Sequence, residues 1–183
     1  MKLKDILKRI VPMRWRRITR DDLLSMVLLL RKPHFFSAEE LQLAAERAWR
    51  VSFDGKERSS KHCVVQRGTV TMMKAGPHGI NFLYSAAPYL GNPKENVHWL
   101  PDARQRQAWV EHSAYVAVDY LNRGVSFALG YAVLSKLVAE MLDGNCTGVY
   151  VPERSSLIPN DEALYLELQK LASSCDAGVR PKS

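Results

Sequence analysis

The sequence predicts an α+β fold, with a single mixed, largely antiparallel sheet and helices mainly on one face, close to the ferredoxin-like split β-α-β. Three observations carry this expectation. Leu23 to Leu30 is nearly continuous apolar sequence, short and without helical period, which marks a central strand covered on both faces. His62 to Gln66, Thr69 to Lys74 and Ile80 to Ser85 are short β-like runs. Arg67-Gly68 and Ala75-Gly76-Pro77-His78-Gly79 separate them, as in an antiparallel meander. Helix-joined strands then follow to the end, giving the order β-α-β-β-β-α-β-α-β-α.

The helices follow from their caps and stripes. Ser37-Ala38-Glu39-Glu40 has capping-box spacing, in which the Ser37 hydroxyl accepts the Glu40 amide and the Glu40 carboxylate reaches back to the Ser37 amide. The helix it opens has a core-facing stripe of Leu41, Ala45, Ala48 and Ser52, broadened by Ala44 and Trp49, and ends near Phe53. Residues 54–61 are polar and turn-rich and read as a loop. Pro88 to Pro101 is irregular. Pro101-Asp102 then opens a helix to about Glu111, and Ser113 to Leu121 alternates into a strand. Ser126 to Leu142 is apolar around most of its circumference and is the core helix. Thr147 to Val151 makes one more strand, and Asn160-Asp161-Glu162 caps a last helix with Leu164, Leu168 and Leu171 on its buried face.

A length of 183 residues, with 46% hydrophobic and 25% charged, fits one domain with a packed core and excludes collagen-like, low-complexity and wholly disordered classes. The domain spans 21–173, between a basic arm (1–20) and a C-terminal tail (174–183). Cys63, Cys146 and Cys175 form no CxxC and leave one thiol over, which points away from a disulfide framework and towards a reducing, cytoplasmic compartment.

The net charge is confined to the arm. Residues 1–20 hold Lys2, Lys4, Lys8, Arg9, Arg14, Arg16, Arg17 and Arg20 against Asp5 alone. Taking these eight from 26 basic residues, and one from 19 acidic ones, leaves 18 of each, so the arm carries the whole formal charge of +7. Leu3, Ile6, Leu7 and Ile10 form one apolar stripe of a short helix that Pro12 stops. Three readings fit this arm. The stripe docks on its own domain; or the helix lies on an anionic membrane, each basic side chain adding roughly 1 kcal/mol; or Trp15 stacks on nucleic acid among Arg14, Arg16 and Arg17. The start lacks the apolar run of a secretory signal, and Leu23 to Leu30 is too short to span a bilayer.

The search for chemistry yields three weak catalytic candidates, His112, Asp119 and His34. Strand parity places Asp119 with Tyr115 and Ala117, and His112 on the opposite side, which argues against a His-carboxylate dyad. His112 reads as a structural histidine at a helix C-terminus. Asp119, a carboxylate in an apolar strand, is the outlier, and an ion pair or strand-end position is its plainer role. His62 and Cys63 point to opposite faces, and Cys63 reads as core. The five histidines show no metal-type spacing, no glycine-rich phosphate loop is present, and Ser126 and Ser135 lack a GxSxG elbow, so no cofactor or metal is expected. Phe35, Phe36, Tyr84, Tyr89, Trp99 and Trp109 are candidates to line a cleft, with core packing as their commoner role.

Three stretches, Leu28-Leu29-Leu30-Arg31-Lys32-Pro33-His34-Phe35-Phe36, Ala87-Pro88-Tyr89-Leu90-Gly91 and Gln107-Ala108-Trp109-Val110-Glu111-His112-Ser113-Ala114-Tyr115, resemble a group of uncharacterised bacterial proteins catalogued as a domain of unknown function. The resemblance covers about residues 23–172 and implies one domain, with no substrate or catalytic residues to carry over. The expected function is a non-catalytic cytoplasmic binding or self-association module, with a protein partner or a second copy. One alternative is an enzyme acting on a small molecule at the sheet edge near Pro88 to Pro101. The other is contact with nucleic acid or an anionic membrane surface through residues 1–20.

Overall fold

In the computed structural model, which describes residues 23–54, 60–68, 70–121 and 124–173, the apolar run is β1 (Leu23–Leu30). The meander is β2 (His62–Arg67), β3 (Val70–Ala75) and β4 (His78–Ser85), followed by β5 (Ala114–Leu121), β6 (Cys146–Val151) and β7 (Ser156–Pro159). The helices are α1 (Ala38–Trp49), α2 (Ala103–Glu111), α3 (Phe127–Met141) and α4 (Glu162–Ser173). The arm (1–20) and the tail (174–183) lie outside the described residues.

The seven strands form one sheet in the order β2-β3-β4-β5-β1-β6-β7. Every pairing is antiparallel, where the sequence suggested a mixed sheet. The reason is the position of β1. The helix-joined strands β5 and β6 run parallel to each other, but β1 lies between them and pairs antiparallel with both, which makes β5-α3-β6 a split β-α-β unit.

Both faces of β1 are buried, as its composition requires. Leu24, Met26, Leu28 and Leu30 join the main core under α1, α3 and α4, while Val27 and Leu29 join a second core under α2. Among the described residues, three helices therefore cover one face and one helix the other. Gly130 lets α3 approach closely, because a Cβ there would stand 2.4 Å from Leu24 Cδ1.

The remaining differences are local. Helix α1 ends at Trp49 rather than Phe53: Arg50 turns left-handed (φ 56°), and the Glu46 carboxylate takes the Phe53 amide at 2.9 Å, which leaves Ser52 exposed and off the stripe. Ala75 pairs with His78, so the turn shrinks to Gly76-Pro77, with Gly76 at φ 60° as a first central position of a tight hairpin demands. Strand β7, four residues ending in Pro159, was not anticipated.

The Ser37 capping box forms, with Ser37 Oγ accepting the Glu40 amide at 3.1 Å and Glu40 Oε2 accepting the Ser37 amide at 2.7 Å. Ser37→Ala is expected to cost about 1 kcal/mol at neutral pH, read from a urea midpoint. The amide of Ser37 is the main cause that holds the Glu40 carboxyl below its ordinary value. That stabilisation is present above the unfolded carboxyl's pKa and fades as pH falls through the lowered one, so the gap between wild type and variant should narrow in acid.

Candidate functional site

The α2 face of the sheet carries the candidate site. Ser25 lies directly across from Asp119, and Val27 across from Ala117 on one side and Tyr150 on the other. Two-residue periodicity therefore aligns Ser25 and Val27 of β1 with Tyr115, Ala117 and Asp119 of β5 and Tyr150 of β6. The irregular segment 88–101 covers part of this face. Tyr89 packs at 5.0 Å from Tyr115 and 5.6 Å from Tyr150, and Trp99 at 5.3 Å from Trp109 and 5.7 Å from Tyr150. Segment 88–101 thus sits over a sheet face and not at a sheet edge. Trp109 and Tyr150 are buried, while Tyr89 and Tyr115 are half-exposed and Trp99 is exposed.

Two carboxylates close one end of this aromatic surface, and both meet Ser25. Its hydroxyl donates to Asp119 Oδ1 at 2.7 Å, and its amide donates to Glu153 Oε1 at 3.0 Å. Glu153 belongs to the 3-10 turn Pro152–Arg154 that follows β6, so its carboxylate takes a β1 amide just past the last β1–β6 pair. Its other oxygen accepts the Tyr131 hydroxyl at 2.9 Å, and the Arg154 guanidinium lies 4.5 Å above the Tyr131 ring. Among the described residues, neither Asp119 nor Glu153 has an ion-pair partner.

Burial explains the electrostatics. Asp119 is 7% exposed, and desolvation pushes its carboxyl above the ordinary value; the Ser25 hydrogen bond opposes the shift and the Glu153 charge adds to it. The Tyr89 hydroxyl is pushed up too, first by burial and then by Tyr150, Tyr115, Asp119 and Glu153. These groups share one electrostatic neighbourhood. The arrangement suits a cation: π faces attract positive charge, and two carboxylates offer acceptors.

His112 corrects the parity argument. It caps α2 ahead of β5, so strand alternation does not reach it, and its ring lies on the Asp119 face, 5.0 Å from Trp109. The dyad is still not made, because both nitrogens are engaged. Nε2 accepts the Tyr89 amide at 3.0 Å, which leaves Nδ1 to donate to the Trp109 carbonyl. Burial lowers its pKa, in keeping with this neutral form. His112 is thus a cap that also pins Tyr89. His34 lies elsewhere, paired with Glu40 at 3.3 Å and edge-on to Phe36.

The other candidates disperse. His62 packs on Phe53, and Cys63 is buried. His78 and Tyr120 share a buried hydrogen bond of 2.8 Å on the opposite face. Phe35 and Tyr84 pack together at 4.2 Å, apart from the Tyr89–Trp109 group. Burial drives the Cys146 thiol up to about 12, which leaves it inert at neutral pH. Among the described residues no cluster of three or more His, Cys, Asp or Glu side chains could hold a metal ion, and no helix is long and apolar enough to cross a membrane. Sequence reasoning missed Ser25, Tyr150 and Glu153. The legible signal was a charged pair, Glu153-Arg154, directly after a strand end. Comparison with family models, with curated proteins and with solved structures finds no match to this chain.

Proposed function

We propose that the chain is a non-catalytic binding module whose α2 face takes an arginine side chain of a protein partner. One observation carries this reading. Asp119 and Glu153 converge on Ser25 without a basic partner among the described residues, beside the rings of Tyr89, Tyr115 and Tyr150. A guanidinium satisfies both halves of such a site, stacking on an aromatic face while its planar fork meets a carboxylate. Titration with a short acetylated Arg-rich peptide, followed by tryptophan fluorescence, should saturate, and an equally long Glu-rich peptide should not. Glu153→Gln should weaken the Arg-rich peptide roughly tenfold, the worth of a charge-assisted contact. Equal binding by wild type and variant would refute the site.

The arm supports a second reading, contact with nucleic acid or an anionic membrane surface through residues 1–20, on the strength of its eight basic residues. Removing the arm should abolish retention on heparin, and retention of the intact chain should fall steeply with salt. Full retention without the arm would rule this out. A cytoplasmic location is supported by the buried free thiol of Cys146. Kinship with ferredoxin-like folds is supported by the split β5-α3-β6 unit. Membership of the uncharacterised bacterial group is supported by the three sequence stretches alone.

A further inference from the structure

Half of the α2 face has no described helix over it. Helix α2 lies on β1, β6 and β7, and segment 88–101 packs on Tyr115, Trp109 and Tyr150. Strands β2 and β3 and the first half of β4 lie beyond both. Met73, Ala75, Ile80 and Phe82 belong to the main core and Val64 packs on it, so alternation turns Val65, Val70, Met72 and Leu83 the other way. Val65 lies across from Met72, Met72 across from Asn81, and Asn81 across from Asp119. Leu23 and Leu121, paired with each other, close the patch, and Leu121 Cδ1 lies over Gly79, 3.3 Å from where a Cβ would stand. These six apolar residues are half-exposed. Leu83 packs against the second core, and the other five join neither core.

We propose that residues 2–10 of the arm dock on this open half as a helix, with Leu3, Ile6, Leu7 and Ile10 against the sheet. Three facts pick this occupant. The chain enters the described fold at Leu23, which is itself part of the patch. Reach is ample: residues 11–22 extend up to about 40 Å, while β1 and β2 stand four strand spacings, about 19 Å, apart. A helix over residues 2–10 is about 14 Å long, enough to lie across three strands, and one so short is marginal in water without a surface to bury its stripe. The C-terminal tail does not compete, because residues 174–183 have no apolar stripe and follow α4, which lies over the opposite face. Burial rather than charge drives the docking, since Lys74 and Arg67 stand at the margins as well as Asp119. The docked stripe turns Lys8 to solvent. The patch adjoins the cation site through the Asn81–Asp119 pair, but the docking requires nothing of that site.

Thiol labelling at the centre of the patch tests this. The full chain carrying Met72→Cys is treated with a maleimide at low protein concentration, and the label at residue 72 is followed by peptide mass. Adding Leu7→Asp, which sets a charge in the stripe, should speed that labelling roughly tenfold or more by releasing the docked segment. Adding Lys8→Ala instead, on the outer side of the helix, should leave the rate unchanged. Cys146, buried in the main core, is the internal control and should stay slow in every variant. Equal rates with and without Leu7→Asp would overturn the docking. So would an acceleration shared by Cys146, which marks loss of the fold, or protection that grows with protein concentration, which marks a second copy as the cover.

Discussion

Trp109→Ala is expected to destabilise the protein by about 3–5 kcal/mol, the usual cost of emptying a fully buried aromatic site. Trp109 has no exposed surface and holds the second core together, touching Trp99, Tyr150 and His112 within 6 Å between ring centres. Small domains have only about 5–15 kcal/mol to lose, so the midpoint in urea should fall sharply. The site should suffer as well, because His112 holds Tyr89 in place and itself caps the helix that Trp109 anchors. Trp109→Phe should cost distinctly less, since it keeps a ring and removes a buried indole N–H that has no partner among the described residues. A loss below about 1 kcal/mol for the alanine variant, the size of an ordinary surface change, would mean that the α2 face is not a packed core.

The second large effect separates stability from binding at one residue. Asp119→Asn should weaken the Arg-rich peptide roughly 10- to 100-fold, by removing a charged acceptor from a desolvated position. The same change should stabilise the fold at neutral pH. The sign follows from linkage: burial raises the folded-state pKa of Asp119, so the folded protein holds this proton more tightly than the unfolded chain. Its contribution is fully present below the unfolded pKa and is lost as pH rises through the folded one. Asparagine does not titrate. The stability gap should therefore open as pH rises above the ordinary carboxylate range and stay level once Asp119 has ionised in the folded state. A variant less stable than wild type at pH 7 would identify Asp119 as a structural group instead.

Local chemistry made most elements legible. Strand β1 has the expected bounds because its composition alone demands burial on both faces. The capping box at Ser37 forms and Asp102 caps the helix it opens, because each depends on residues within one helical turn. Strand β7 escaped because four residues ending in Pro159 show too little alternation to stand out. The antiparallel sheet escaped for a different reason: the insertion of β1 between β5 and β6 depends on contacts far apart in the chain.

The site divides in the same way. Asp119 stood out as a carboxylate among apolar strand residues, but its meaning depends on Ser25 and Glu153, which lie 94 residues before it and 128 residues after Ser25 respectively. No local spacing encodes that meeting. Parity sorted β5 correctly and misplaced His112, because it was extended past the strand into a helix cap.

Mapping amide chemical shifts of the full chain during titration with the Arg-rich peptide tests the central claim most directly. The largest changes should fall on Ser25, Tyr89, Asp119, Tyr150 and Glu153, and should vanish in a chain carrying both Asp119→Asn and Glu153→Gln. Changes centred elsewhere, or unchanged in the double variant, would contradict an acid-ended aromatic surface as the seat of binding.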